Sequence, residues 1–363
     1  MDGGGRRSRS ERAAGSRAAT IQDVARLAEV STATVSRALA TPQRVSPEAR
    51  ARVAEAIAKT GYVPNTAARS LRSQKTHMVL VVLPDLANTF FSKILRGIEE
   101  TLFEAGYGMI ISDLDGSPEK EAHLSAFTAA GRVDGAILLN GHLFGQNRDE
   151  EGGSAPLSIP LVAICEAIPD ARIPQVEIDN RVGAAGMIRH LASLGHRRIG
   201  YVSGPRGNIL ERERFQGYRD GLAAAGLAFD PDLVIPGDYT LEAGVAAGEA
   251  VVRGANRPTA LFCTSDVMAI GAIRTLASAG LRVPEDISVV GFDDIEFAAV
   301  AEPPLTTVHQ PRRELGQAGA TALIDLLQGR KAPDRIRLKT DLVVRSSAAA
   351  PRRTMLKSAG LNA

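Results

Sequence analysis

The sequence predicts two unlike parts: a small all-α head built as a helix-turn-helix, and a larger α/β body of two doubly wound parallel-sheet subdomains. Three observations predict this. Residues 20–62 carry apolar positions at helical spacing between short breaks. From Met78 onward, short apolar runs alternate with amphipathic segments. Charge divides at the same place. Residues 1–73 hold 13 Lys and Arg against 6 Asp and Glu, a net +7, whereas chain totals of 43 and 41 leave the rest at −5. A basic head on a mildly acidic body points to a polyanionic partner for the head alone.

In the head, TIQDVARLAEV begins with Thr20 as N-cap and Asp23 three residues on, followed by apolar Ile21, Val24, Ala25, Leu27 and Ala28. A break at Glu29–Val30 leads to Ser31, a second N-cap, and to a helix over 32–39. Pro47 opens a third helix that Gly61 closes. Three short helices with a tight turn between the first two make a helix-turn-helix. Ala25 stands at the close crossing and Val35 points into the small core. Glu29 occupies a turn position where many such proteins carry glycine, so that turn is expected to be strained or rebuilt.

In the body, the runs MVLVVLPD, MIISDLD, GAILLNG, LVAICE, RIGYVSG, TALFCTSD and ISVVGFDD read as buried strands. Between the first two lies FSKILRGIEETLFEAG, whose Ile94, Leu95, Ile98, Leu102 and Phe103 recur at helical spacing. Asp85, Asp113, Asp115, Asp179, Asp266, Asp293 and Asp294 each follow an apolar run. Ligands of open α/β sheets bind at the carboxyl ends of strands, so these aspartates predict a polar cleft.

Several classes fall away. No run of 18 apolar residues suggests a membrane span, and the basic start MDGGGRRSRSERAAG has no apolar segment behind it to act as a secretion signal. Cys165 and Cys263 are far apart and read as reduced, buried thiols of a cytoplasmic protein. No phosphate loop, dinucleotide fingerprint, nucleophile elbow or metal-binding helix motif occurs, and the six histidines lack ligand spacing. Neither catalytic residues nor a metal or cofactor are expected.

With these motifs in order, the chain resembles the lactose/galactose-repressor family of bacterial transcription regulators from about Thr20 to Arg345. The resemblance rests on TIQDVARLAEVSTATVSRAL, VSPEARARVAEAIAKTGYVPNTAARSL, LANTFFSKILRGIEE, LGHRRIGYVSG, RERFQGYRDGL, TSDVMAIGAI, VPEDISVVGFDD and PPLTTVHQP. It implies a homodimer on a pseudo-palindromic DNA operator, and a body similar to periplasmic sugar-binding proteins that senses a small molecule.

By matching position, the resemblance implies that Thr32, Ala33 and Arg37 meet base edges and that Thr20, Ser31, Thr34, Ser36 and Asn65 hold phosphates. Leu71, on a short hinge helix with Ala68, would wedge into the minor groove. Phe90, Phe91, Asp179, Arg214, Tyr239, Asp266, Asp293 and Gln310 would line the effector cleft. STATVSRAL, GDYTLEAG and TSDVMAIGA resemble the cytidine-repressor branch, which tilts the expected effector toward a nucleoside or pentose-like sugar.

The implied organisation is a disordered leader 1–19, a DNA-binding head 20–62, a hinge 63–76, a body 77–348 and a disordered tail 349–363. Within the body, one subdomain is expected over about 77–192 and 310–339, the other over about 193–309 and 340–348. No leucine heptad follows residue 345, so a dimer rather than a coiled-coil tetramer is expected. The alternatives are a solute-binding protein of a sugar transport system and an enzyme acting on a sugar or nucleoside.

Overall fold

The structure, a computed structural model, describes residues 19–63, 75–114, 116–144 and 159–352. Asn65, Ala68, Leu71 and Asp115 lie outside the described residues, as do most of the leader, hinge and tail. The chain forms two compact units that divide between Lys75 and Thr76.

In the first unit, α1 (Ile21–Leu27) opens on a capping box. Thr20 Oγ1 accepts from the Asp23 amide at 3.4 Å, and Asp23 Oδ2 accepts from the Thr20 amide at 2.9 Å. Helix α2 (Thr32–Ala40) starts at Ser31, whose Oγ accepts from the Thr34 amide at 3.1 Å. Helix α3 (Pro47–Thr60) starts behind Ser46 and stops at Gly61, which takes the left-handed conformation at φ 63°. Val24, Ala25, Ala28, Val35, Val53 and Ala56 form the core. The alanines leave the helices room to pack closely. Glu29 keeps the turn in the left-handed region, at φ 53°. The turn is therefore strained but intact.

In the second unit the seven expected strands, joined by three that were not expected (Gln175–Ile178, Val234–Ile235 and Arg335–Leu338), form two parallel sheets. The first takes β1 (Met78–Leu83), β2 (Gly108–Asp113), β3 (Gly135–Leu138), β4 (Leu161–Ile164), β5 (Gln175–Ile178) and β11 (Arg335–Leu338), in the order β11-β5-β4-β3-β1-β2. The second takes β6 (Ile199–Val202), β7 (Val234–Ile235), β8 (Ala260–Cys263) and β9 (Ser288–Val290), in the order β7-β6-β8-β9. A two-stranded antiparallel pair, β10 (Thr307–His309) with β12 (Asp341–Val343), flanks β11 in sequence and joins the second sheet through the bridge Val290–Thr306.

Helices cover both sheets, as buried parallel strands require. Helix α4 (Phe91–Glu104) packs against α11 (Arg312–Leu327), while α5 (Pro118–Ala129) buries Leu124 and Thr128. Helix α6 (Asn180–Ser193) packs on α7 (Ile209–Ala224), and α8 (Leu241–Arg253) on α9 (Asp266–Ser278). A short α10 (Glu296–Val300) follows β9.

The chain crosses between subdomains earlier than the strand rhythm suggested. Gly183 of α6 lies against Phe292 and Val308, so α6 packs with the second subdomain and the crossing falls at Asp179–Asn180 rather than 192–193. Helix α11 and strand β11 then return to the first. Among the described residues, no helix is long and apolar enough to cross a membrane.

Candidate functional site

Two surfaces carry the candidate chemistry, one in each unit. In the head, the sequence of α2 separates its faces. Val35 and Ala38 are buried in the core, whereas Thr32, Ala33 and Arg37 are exposed and Ser36 is half-buried. Positions 32 and 36, and 33 and 37, are each four apart, so all four share one face. The Arg37 side chain makes no hydrogen bond or ion pair among the described residues. It is a free guanidinium in the second turn of a helix whose first turn presents only small groups. Ser31 and Thr34 hydroxyls lie 2.9 Å apart, and Thr20 Oγ1 donates to Asp23 at 2.7 Å. Thr20 and Ser31 cap their helices and Thr34 lies in the first turn of α2, so all three sit at helix N-termini, where backbone N–H groups favour anions.

In the body, a cavity of about 180 Å³ opens where strands of both sheets end. From the first subdomain, β1 delivers Asp85, the start of α4 delivers Phe90 and Phe91, and β4 delivers Cys165 and Glu166. From the second, Asn208, Arg214, Tyr239, Ser265 and Asp293 complete the wall. Cys165, Tyr239 and Asp293 hold positive φ angles of 68°, 72° and 126°. Backbone strain of this kind persists only where the surroundings over-determine it, and it concentrates at ligand sites.

Arg214 is 3% exposed and fixed on every side. Its Nε donates to Asn180 Oδ1 at 2.9 Å and its Nη1 to the Thr264 carbonyl at 2.5 Å. The guanidinium stacks 3.9 Å over the Phe292 ring and stands 3.8 Å from Asp293 Oδ1. Gln310 Nε2 donates to that same Asp293 oxygen at 2.6 Å. Burial pushes the Asp293 carboxyl up to about 6, against the pull of Arg214 and Arg312. Burial also raises Glu166, with Asn208 and Arg214 opposing it. The Tyr239 hydroxyl is buried and has no hydrogen-bond partner among the described residues. A side chain at Gly204 would collide with the Tyr239 ring, so glycine there is what lets the ring lie flat on the wall.

Of the eight expected cleft residues, Phe90, Phe91, Arg214, Tyr239 and Asp293 line this cavity, and Gln310 stands behind Asp293. Asp179 and Asp266 do not line it. Asp179 caps α6 by accepting from the Val182 amide at 2.9 Å and pairs with Arg337 at 3.3 Å, in a separate surface depression. Asp266 is fully buried, accepting from Thr307 Oγ1 at 2.5 Å and the Ile295 amide at 2.9 Å. Both follow an apolar run as Asp293 does; their local partners turn them to structural use. Asp294 also faces elsewhere, toward His309 and Arg345.

Glu166, Asn208, Asp238 and Ser265 line the cleft without having been singled out. Glu166 ends a run that the sequence marked as a strand, and Asn208 and Ser265 are the N-caps of α7 and α9. Strand-end position was thus a usable signal for residues other than aspartate. Among the described residues, no cluster of His, Cys, Asp and Glu is arranged to hold a metal ion. Both cysteines are buried and free.

Residues 20–65 match the description "Bacterial regulatory proteins, lacI family", and residues 188–348 match "Periplasmic binding protein-like domain". The transcriptional repressor CytR of Escherichia coli (strain K12) is 39% identical over 334 residues, 92% of this chain and 97% of the relative. The chain belongs to the lacI family. The structure of transcriptional regulator CelR in complex with cellobiose superposes with a TM-score of 0.69 at 35% identity, covering 91% of this chain and all of that one. A lac repressor dimer bound to operator and the anti-inducer ONPF superposes at 0.80 with 29% identity, covering 92% and 100%. As a lacI-family member, this chain is a DNA-binding transcriptional regulator with a periplasmic-binding-protein-like body.

Proposed function

We propose that the chain represses transcription as a cytoplasmic homodimer on a pseudo-palindromic operator, and that a sugar or nucleoside in the body's cleft controls that binding. The observation that carries this reading is the pairing, in one chain, of two unfinished sites. The α2 face offers an uncommitted Arg37, and the cleft buries a Tyr239 hydroxyl without a partner. Arg37 can donate two hydrogen bonds to a guanine edge, and small neighbours let the helix approach the groove. Thr20, Ser31, Thr34, Ser36 and Asn65 hold phosphates in this reading, and Leu71 opens the minor groove between the two half-sites.

Phe90, Phe91, Arg214, Tyr239 and Asp293 hold the effector. Relatives support its class: CelR is described with cellobiose, and the lac repressor with ONPF. A second copy of the body would cover the apolar groove formed by Leu241, Val267, Ile270, Phe297 and Val300. No catalytic step belongs to this reading.

Selection of duplex DNA from a random pool by the full chain tests it. The enriched sites are expected to contain two dyad-related half-sites, and enrichment without a dyad sinks the homodimer reading. Asp293→Ala is expected to retain those sites while effector addition no longer changes their occupancy in an anisotropy titration.

A further inference from the structure

Four carboxylates reach the cleft, on Asp85, Glu166, Asp238 and Asp293, against the single guanidinium of Arg214. That guanidinium has already committed Nε and Nη1 to Asn180 and Thr264, and one of its flat faces to Phe292. The other usual cradle for a phosphate is a helix N-terminus, where free N–H groups and the helix dipole converge. Each one facing this cleft is already capped by a side chain or carbonyl of the protein itself. Asn208 Oδ1 accepts from the Leu210 and Glu211 amides at 2.8 and 3.2 Å. Thr240 Oγ1 accepts from Ala243 at 3.1 Å, and Ser265 Oγ from Met268 at 3.3 Å. Ahead of α4, the Phe90 amide donates to Asn88 Oδ1, the Phe91 amide to the Asn88 carbonyl and the Ser92 amide to the Thr89 carbonyl.

What stays open is the Tyr239 hydroxyl, which has no partner among the described residues, and the lone pairs left on the carboxylates. At Asp85, Asp238 and Asp293, Oδ1 already accepts from Ala87, Thr240 and Gln310 in turn. Given a small-molecule effector in this cleft, we propose that it is an uncharged hydrogen-bond donor, a free sugar or a nucleoside, and that the cleft rejects the phosphate ester of the same compound. Hydroxyl or amino groups satisfy the carboxylates, and the edge-to-face pair Phe90–Phe91, 5.1 Å between centroids, offers an apolar wall for a ring. A phosphate dianion placed there would exchange water for buried like charge. The upward displacement of Glu166 and Asp293 agrees, because in both the desolvation of the carboxyl outweighs the pull of the nearby Arg214.

Isothermal titration of the full chain with matched pairs tests the proposal: cytidine and its 5′-monophosphate, adenosine and its 5′-monophosphate, ribose and ribose 5-phosphate, glucose and glucose 6-phosphate. At least one parent compound is expected to bind, with its ester at least about tenfold weaker. Glu166→Gln, which keeps the side chain's shape and removes its charge, is expected to narrow that ratio. A folded Glu166→Gln variant with an unchanged ratio overturns the electrostatic account. An ester that binds as tightly as its parent overturns the proposal and leaves the effector reading standing. If none of the eight compounds binds, the effector reading fails and takes the proposal with it.

Discussion

The head and the body place their working groups in opposite ways. In the head the core is a handful of aliphatic side chains, and the described residues proposed to touch DNA, Thr20, Ser31, Thr32, Ala33, Thr34, Ser36 and Arg37, are exposed or half-buried and lie outside it. In the body the working groups are inside. Arg214 and Asp293 are buried, and each is held by neighbours far away in sequence. An exposed recognition face can change its side chains with little effect on folding. A buried polar cleft cannot, because each group there also satisfies another.

That contrast gives the largest expected effect at Arg214. Its removal leaves Asp293 buried beside an empty space, and breaking a buried charge pair in this way costs about 3–5 kcal/mol. Arg214→Ala should therefore lower the stability of the body as well as abolish effector binding. Urea unfolding followed by tyrosine emission checks this, since four of the five tyrosines lie in the body. Unchanged stability would mean that the cleft tolerates an unpaired Asp293, and the contrast would weaken.

Arg37→Ala is the head's counterpart and should behave in the reverse sense. Operator binding is expected to weaken by about 1–3 kcal/mol. The unfolding curve of the body should not move, because Arg37 lies in the head and has no side-chain partner among the described residues. A loss too small to measure by anisotropy removes Arg37 from the set of base contacts.

The same contrast explains what was legible in the sequence. Strands, helices and caps follow local rules, so Thr20, Ser31, Pro47 and Gly61 marked the head's helix ends correctly. Apolar runs likewise located seven parallel strands, though not the short or charge-bearing β5, β7 and β11. The α2 face was legible because a helix converts spacing directly into facing. The cleft was legible only in part. Asp179, Asp266 and Asp293 look alike in sequence, each following an apolar run. Their partners separate them: Val182 and Arg337 for the first, Thr307 and Ile295 for the second, Gln310 and Arg214 for the third. Apart from Val182, three residues on, those partners come from distant stretches of the chain that no local pattern announces. The positive φ angles of Cys165, Tyr239 and Asp293 were hidden for the same reason, since none is glycine.

Asp179→Ala sharpens this point. As an N-cap whose carboxylate also meets Arg337, it is expected to contribute about 1 kcal/mol to stability. The effector response should survive intact. Loss of the response with normal stability would return Asp179 to the effector site and reverse its assignment to the helix cap.

Glu29 carries the smallest expected effect and the cleanest comparison between backbone and side chain. At φ 53° a non-glycine residue is disfavoured by about 1–2 kcal/mol, because its Cβ crowds the following carbonyl. Glycine removes that strain but loses more conformational entropy on folding, about 0.5–1 kcal/mol. Glu29→Gly should thus stabilise the head by a net of roughly 0.5–1 kcal/mol, read as a higher midpoint for loss of its helical circular dichroism. Two controls separate strain from charge. Glu29→Gln removes the negative charge and keeps the strain, so it should leave the midpoint in place. Glu29→Asn tolerates the left-handed conformation better than most residues and should fall between the two. If Gln raises the midpoint as much as Gly does, the turn is limited by electrostatics near a basic head and not by its backbone.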